Sequence, residues 1–272
     1  MKLCMRNKRS RFSRTSFSYS TTAATVGVVI WLLLNLLPAR EASGQGTVLL
    51  ANRIAANGTF SAGLTTHIWG PSATAPVTQF MSLVGFGAND TTTRAAPTNT
   101  INFAAYGMIM VGQPGGLGAA TTFVQLLGVE APTSALMPES SLVPVGQVAT
   151  FRTQTSVAGG IVPMTDTLTG SPGITAGAAF ATFELVAWDN SSGLYPTWAQ
   201  ASVAAMQGPL LVGWSGEFQV SAIGGGPSFN VPPNLNDMQD FNSFNLYAIP
   251  EASTLAFAGL GAAMLMIARR RR

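Results

Sequence analysis

The stretch Ala181-Thr182-Phe183-Glu184-Leu185-Val186-Ala187-Trp188 sets the reading of the chain. Side chains alternate across a strand with a period of two. In an extended backbone Phe183, Leu185 and Ala187 therefore face one way, and Thr182, Glu184, Val186 and Trp188 face the other. Glu217-Phe218-Gln219-Val220 alternates in the same manner. This is the pattern of a half-buried strand. Similar short runs are expected over Thr47–Asn52, Leu64–Trp69, Ile101–Val111, Thr121–Leu127, Val148–Gln154, Ala178–Trp188, Gly216–Ala222 and Phe241–Tyr247, each separated by Gly, Pro, Asn or Thr. Regular spacing of this kind predicts an all-β body, a sandwich or jelly-roll-like domain.

One helix is expected within it. Pro196–Gln207 is Ala-rich, opens on Pro and stops at Gly208-Pro209, which is sound helix punctuation. Trp198, Ala201 and Ala205 fall on one helical face and are expected to pack on a sheet. Pro132–Pro144 reads as a long surface loop, and Pro227–Asn234 as a loop before the last strand.

The composition is unusual in its charge. Of 272 residues 47% are hydrophobic and only 9% charged, against roughly 25% charged in average proteins. The formal net charge of +3 misleads until it is partitioned. Lys2, Arg6, Lys8, Arg9, Arg11 and Arg14 lie at the start, Arg40 follows the first apolar stretch, and Arg269–Arg272 end the chain. Between Gln45 and Ala248 three arginines (53, 94 and 152) face nine acids, a net of −6. Nucleic-acid binding depends on a basic face that neutralises phosphates, so that class is set aside. The chain has one His (His67) and one Cys (Cys4). A zinc finger, a CxxC redox pair, a Cys-His dyad and a multi-histidine metal site are excluded. A Ser-His-Asp triad would have to use His67.

Two apolar segments bracket the body. Ala23–Leu37 follows a basic region and precedes Pro38-Ala39 and Ala42-Ser43-Gly44. A basic start, an apolar run of about 15 residues and small residues at a cleavage point make a secretory signal peptide. The expected cut lies between Gly44 and Gln45, so residues 1–44 are removed through the Sec translocon and Cys4 goes with them. An uncleaved signal anchor is the alternative. It is disfavoured because the run is short for a span of about 20 residues. The second segment, Ala252–Ala268, has 17 residues and meets four arginines at once. At about 1.5 Å rise per residue it reaches roughly 25 Å, the low end of a membrane span. The arginines would hold the C-terminus in the cytoplasm and leave the body, residues 45–248, outside.

Ile249-Pro250-Glu251-Ala252-Ser253-Thr254, an apolar span and Arg269-Arg270-Arg271-Arg272 together resemble the PEP-CTERM sorting signal. The same tail is also catalogued as an ice-binding-protein C-terminal domain, a label that carries no evidence of ice binding. Pro250, Glu251 and Ser253 match the motif, whereas Ala252 stands where Pro is usual. The resemblance covers residues 249–272. It implies export in a Gram-negative, exopolysaccharide-making bacterium and a partner, exosortase, which is a membrane-embedded cysteine transpeptidase that processes the tail. Physical chemistry fits the order. Pro250 starts a helix cleanly, Glu251 favours its N-terminal dipole, and Ser253 and Thr254 can satisfy orphan N–H groups there. The body is similar in layout to β-rich domains of secreted verrucomicrobial or planctomycete proteins. The residues that carry this likeness are Ala51-Asn52-Arg53, Ala187-Trp188-Asp189, Gly216–Val220, Phe241 and Phe244. That likeness brings no catalytic residues.

The expectation is thus an exported, non-enzymatic envelope or matrix protein with no cofactor and no metal, structural or adhesive in the exopolysaccharide layer. It is anchored in the inner membrane on its way to the surface. Two rivals remain. In the first, Trp69, Trp188, Trp198, Trp214, Tyr106 and Tyr195 form a sugar-stacking platform of a carbohydrate-binding module, against their use as core. In the second, paired acids serve a glycan hydrolase, since such enzymes need only two carboxylates about 5 to 9.5 Å apart. Glu184 with Asp189, and Glu217 with Asp166, are the pairs to consider. Loops at Asn89-Asp90 and Asn236-Asp237 offer oxygen ligands for Ca²⁺ but match no established spacing. The Asn-x-Ser/Thr triplets at Asn57, Asn89 and Asn190 are incidental in a bacterium.

Overall fold

The computed structural model describes residues 44–54, 64–72, 81–91, 100–169, 173–225, 241–249 and 269. The strands are β1 (Thr47–Leu50), β2 (Arg53–Ile54), β3 (Leu64–Thr65), β4 (Ile68–Pro71), β5 (Val84–Gly85), β6 (Met108–Met110), β7 (Thr122–Ala131), β8 (Val143–Pro144), β9 (Ala149–Thr150), β10 (Met164–Thr167), β11 (Phe180–Asp189), β12 (Leu211–Ser221), β13 (Ser243–Asn245) and β14 (Tyr247–Ala248). The α-helix α1 spans Trp198–Gln207. The protein is predominantly β, as the alternation predicts.

The largest sheet has six strands in the order β14-β12-β11-β7-β8, with β9 also paired to β7. A four-stranded sheet runs β5-β13-β4-β6, and β1-β10 and β2-β3 form two-stranded pairs. Every residue of β11 pairs with β7, from Phe180↔Ala131 to Asp189↔Thr122. Its other edge pairs with β12, from Phe180↔Ser221 to Trp188↔Val212. The register slips between Glu184 and Val186. Ser215 and Gly216 oppose Leu185 there, and the Leu185 N–H donates to Ser215 Oγ at 3.0 Å. Gly216 takes φ 73°, a left-handed conformation that costs other residues energy. This β-bulge places Trp214 beside Val186 and Glu217 beside Glu184 on one face.

The alternation in 181–188 is correct in direction, but the strand is not half-buried. All residues from Ala181 to Trp188 are buried. Phe183, Leu185 and Ala187 enter the main core with Val124, Leu126, Phe218 and Val220. Val186 and Trp188 enter a second cluster with Leu127, Val212, Ala201 and Ala205. That second face is closed by α1. Trp198 packs on Trp188, ring centres 5.9 Å apart, and Ala201 and Ala205 are buried, as their shared helical face predicts. The segment expected as a surface loop, 132–144, closes the rest. Thr182 Oγ1 accepts from the Met137 N–H at 3.0 Å, and Gln219 Nε2 donates to the Thr133 and Ala135 carbonyls at 3.0 and 3.2 Å. Most of this segment is exposed, although it carries β8 and a 3-10 turn at Glu139–Ser141.

Several expected strands change shape. Ile101–Val111 contains a 3-10 turn, Phe103–Tyr106, and only the short β6. Leu64–Trp69 is broken at Thr66 and His67. Phe241–Tyr247 is split at Leu246. β2, β5, β8 and β10 have no counterpart in the sequence pattern. The loop Pro227–Asn234 lies outside the described residues.

Asn52 ties separate parts of the fold together. It is fully buried. Its Nδ2 donates to the Thr66 and Gly159 carbonyls at 2.9 and 2.7 Å, and its Oδ1 accepts from the Ile161 N–H at 2.7 Å. Asn52→Ala leaves the Thr66 carbonyl and the Ile161 N–H without their partner, while the Gly159 carbonyl keeps the Ile68 N–H at 3.3 Å. An unsatisfied buried group costs roughly 1–3 kcal/mol, so the variant is expected to lose at least about 2 kcal/mol in urea unfolding. A loss below about 1 kcal/mol would contradict this role.

Candidate functional site

The break between β3 and β4 places His67 at a cleft of about 330 Å³. Its walls come from four places. They are Arg53 and Thr65 on β2 and β3, Asn89 and Thr91 after β5, Met110 and Gln113 at β6, and residues 155–158 with Gly160. Asn52 joins two of these walls through Thr66 and Gly159. Gly159 has φ 73° and lies so close that an added Cβ would stand 3.3 Å from His67 Cβ and from the Ile68 backbone. The wall is therefore drawn in tightly against the histidine.

Behind His67 stands Asp90, whose side chain is 1% exposed against 13% for His67. His67 Nδ1 lies 3.0 Å from Asp90 Oδ1. Ser243 Oγ donates to the same carboxylate at 2.7 and 2.8 Å, and the Gly87 N–H donates to Oδ2 at 2.6 Å. Ser243 Oγ in turn accepts the His67 N–H at 2.7 Å. With donors converging on Asp90, Nδ1 carries the proton of the neutral ring and Nε2 is left as an acceptor. The order is Ser–Asp–His. Ser243 sits on the carboxylate and not beside Nε2, so these three residues do not form the Ser-His-Asp triad that His67 had to serve. Asp90, considered as a Ca²⁺ loop residue, is instead the histidine's orienting partner. Sequence spacing gives no sign of this, because His67, Asp90 and Ser243 come from three separate elements.

The acids considered in pairs regroup. Glu184 faces Glu217 directly across β11 and β12. Asp189 lies at the strand end, where it caps Ser191. Asp166 is on β10, against Gly146 and Leu126, and does not join Glu217. Glu184 is 3% exposed. Burial, then the charges of Glu139 and Glu217, push its carboxyl up to about 7. Asp166 is fully buried and its Oδ2 has no hydrogen-bond partner. Burial raises it to about 6, against the opposing N–H groups of Gln147 and Thr167. Neither Glu184 nor Glu217 lines the His67 cleft or the open groove over α1. Among the described residues no three of His, Cys, Asp and Glu are grouped to hold a metal ion.

The aromatic residues do not share a platform. Trp69 stacks on Phe103 at 5.3 Å in a small buried cluster. Trp188, Trp198, Trp214 and Tyr195 belong to the cluster under α1, and Tyr106 is exposed elsewhere. Asn190 is buried and its Oδ1 accepts from the Tyr195 N–H, which removes it as a glycan acceptor in the folded chain. Of the expected processing sites, Gly44 is exposed and its carbonyl accepts from the Ala176 N–H at 2.7 Å, while Gln45 bridges Thr175. Pro250, Glu251, Ala252 and Ser253 lie outside the described residues, as do Ala252–Ala268 and Arg270–Arg272. Arg269 is exposed. Among the described residues no helix is long and apolar enough to cross a membrane.

The two raised carboxyls fix a sign for pH dependence. The folded protein holds these protons more tightly than the unfolded chain does, so their stabilisation is complete below about pH 4. It is lost as pH rises through about 6 and 7. The melting temperature is expected to be lower at pH 8 than at pH 5. Glu184→Gln and Asp166→Asn should each flatten that slope by raising the value at pH 8. An equal or higher melting temperature at pH 8 in the parent chain would contradict the assignment.

No family model, no curated protein and no solved structure matches the chain. Its own residues therefore carry the functional reading.

Proposed function

We propose that this chain is an exported envelope or extracellular-matrix protein, sorted by an exosortase-type membrane transpeptidase after passage through the Sec translocon. Its sandwich-like β body serves a structural or adhesive role in an exopolysaccharide layer. One observation carries the reading: the order of Ile249-Pro250-Glu251-Ala252-Ser253, the apolar run to Ala268, and Arg269–Arg272. The body supports it in one respect. β14 pairs Tyr247 with Val212 and Ala248 with Leu211, and both residues are buried. The sheet thus ends two residues before Pro250. A cut at or after Glu251 removes no described strand, so the body can be released whole.

A carboxylate-dependent hydrolase is not favoured. Glu184 and Glu217 adjoin, but the carboxyl of Glu184 is covered by the segment that Thr182 and Gln219 hold in place.

The test is the intact mass of the mature protein from its native host, with its cell fraction recorded. The expected species starts at Gln45, lacks the residues after about Glu251 and is found in the matrix or medium. A species that keeps Ala252–Arg272 and stays in the inner membrane would overturn the processing step and make the protein a plain C-terminally anchored one.

A further inference from the structure

We propose that the His67 cleft binds a carboxylate-bearing sugar ring, a uronate unit of an acidic polysaccharide, with Arg53 as the partner of its carboxylate. The inference deepens the adhesive reading above and rests on it for the source of the ligand.

Charge placement is the first argument. The described residues include only three cations, Arg53, Arg152 and Arg269, and no Lys. Arg53 is exposed and lines the cleft. Arg152 stands at its edge, where its backbone N–H donates to the Gly160 carbonyl at 2.8 Å and its Nε to the Ile161 carbonyl at 3.3 Å. No Asp or Glu lines the cleft. In a body of net charge −6 this cleft therefore presents a cation, Arg53, and none of the described acids. A guanidinium there offers a planar fork that matches a carboxylate in bidentate fashion.

The lining chemistry is the second argument. Thr65, Thr91, Thr155, Ser156, Asn89 and Gln113 present hydroxyls and amides, which can both donate and accept, as sugar hydroxyls do. His67 adds an acceptor at Nε2, since Asp90 holds its other nitrogen. Such orientation by a buried carboxylate fixes the ring before a ligand arrives, which lowers the entropy lost on binding. A volume of about 330 Å³ stands at the small end of ligand pockets and suits one or two rings rather than a long chain segment.

The test is a calorimetric titration of the full chain in neutral detergent at low ionic strength. The probes are trigalacturonate, trimannuronate and a hyaluronate tetrasaccharide, with maltotriose as the uncharged control. At least one acidic probe is expected to bind tenfold or more tightly than maltotriose. Arg53→Gln should weaken that binding by roughly tenfold to a hundredfold, the range of a charge-assisted hydrogen bond. Because Arg53 is exposed, this variant should keep the parent melting temperature. Ser156→Trp, also at an exposed position, fills the cleft and should abolish binding. The proposal is overturned if no acidic probe binds, if maltotriose binds as well as they do, or if either variant leaves affinity unchanged. Mass and cell fraction report on sorting alone, so a failed titration with correct sorting removes the cleft and keeps the exported protein.

Discussion

The structure depends on the pairing of β11 along both of its edges. A strand of ten residues with complete ladders to β7 and, across one bulge, to β12 has satisfied backbone groups and can be buried on both faces. Burial then follows from the side chains. Phe183 and Leu185 draw β7 and β12 residues into the main core. Val186 and Trp188 recruit α1 to the opposite face. Apolar burial contributes on the order of 25 cal/mol per Å², so a strand covered on both sides anchors the domain more firmly than the half-exposed strand its charges suggest.

Covering the second face has a cost, and it falls on Glu184. The bulge at Ser215-Gly216 shifts the alternation of β12 by one residue. That shift sets Glu217 opposite Glu184 and Trp214 opposite Val186. A carboxyl among apolar neighbours and like charges holds its proton more tightly. The same physics acts on Asp166, wedged where Gly146 leaves room for its carboxylate and where any Cβ would collide with it. Both acids are consequences of packing and stand apart from the cleft. Asp90 is the contrasting case. It is equally buried, yet its oxygens receive hydrogen bonds from His67, Ser243 and Gly87. Its burial is compensated, and it directs a histidine into a concave, polar site.

Much of this was legible in the sequence where local pattern and tertiary contact agree. The direction of each side chain in 181–188, the helix ending at Gly208 and its inward Trp198, Ala201 and Ala205 follow from periodicity and punctuation. The bulge explains one shortfall. Alternation backward from Val220 fails at Gly216, and the expected run from Gly216 is therefore shorter than β12, which starts at Leu211. β2, β5, β8 and β10 are hidden in the sequence because short strands owe their pairing to other strands and not to their own residues. The cleft was hidden for the same reason. In the sequence Asn52 is part of an Asn-Arg pair, but its bonds span 14, 107 and 109 residues. His67 is the one histidine of the sequence, while Asp90 and Ser243 are joined to it only by the fold.

The proposed function divides along the chain. In that proposal the ends carry the address, through a basic and apolar start and a Pro-Glu motif followed by an apolar run and arginines. The body carries the contacts, with Arg53 at the cleft. Both proposals require the body to lie outside the cytoplasmic membrane with Arg269–Arg272 inside. Alkaline phosphatase, which is active only outside that membrane, can be fused after Ile249 or after Arg272 in a Gram-negative host. The account predicts activity for the fusion after Ile249 and none for the fusion after Arg272. An inactive fusion after Ile249 would contradict it.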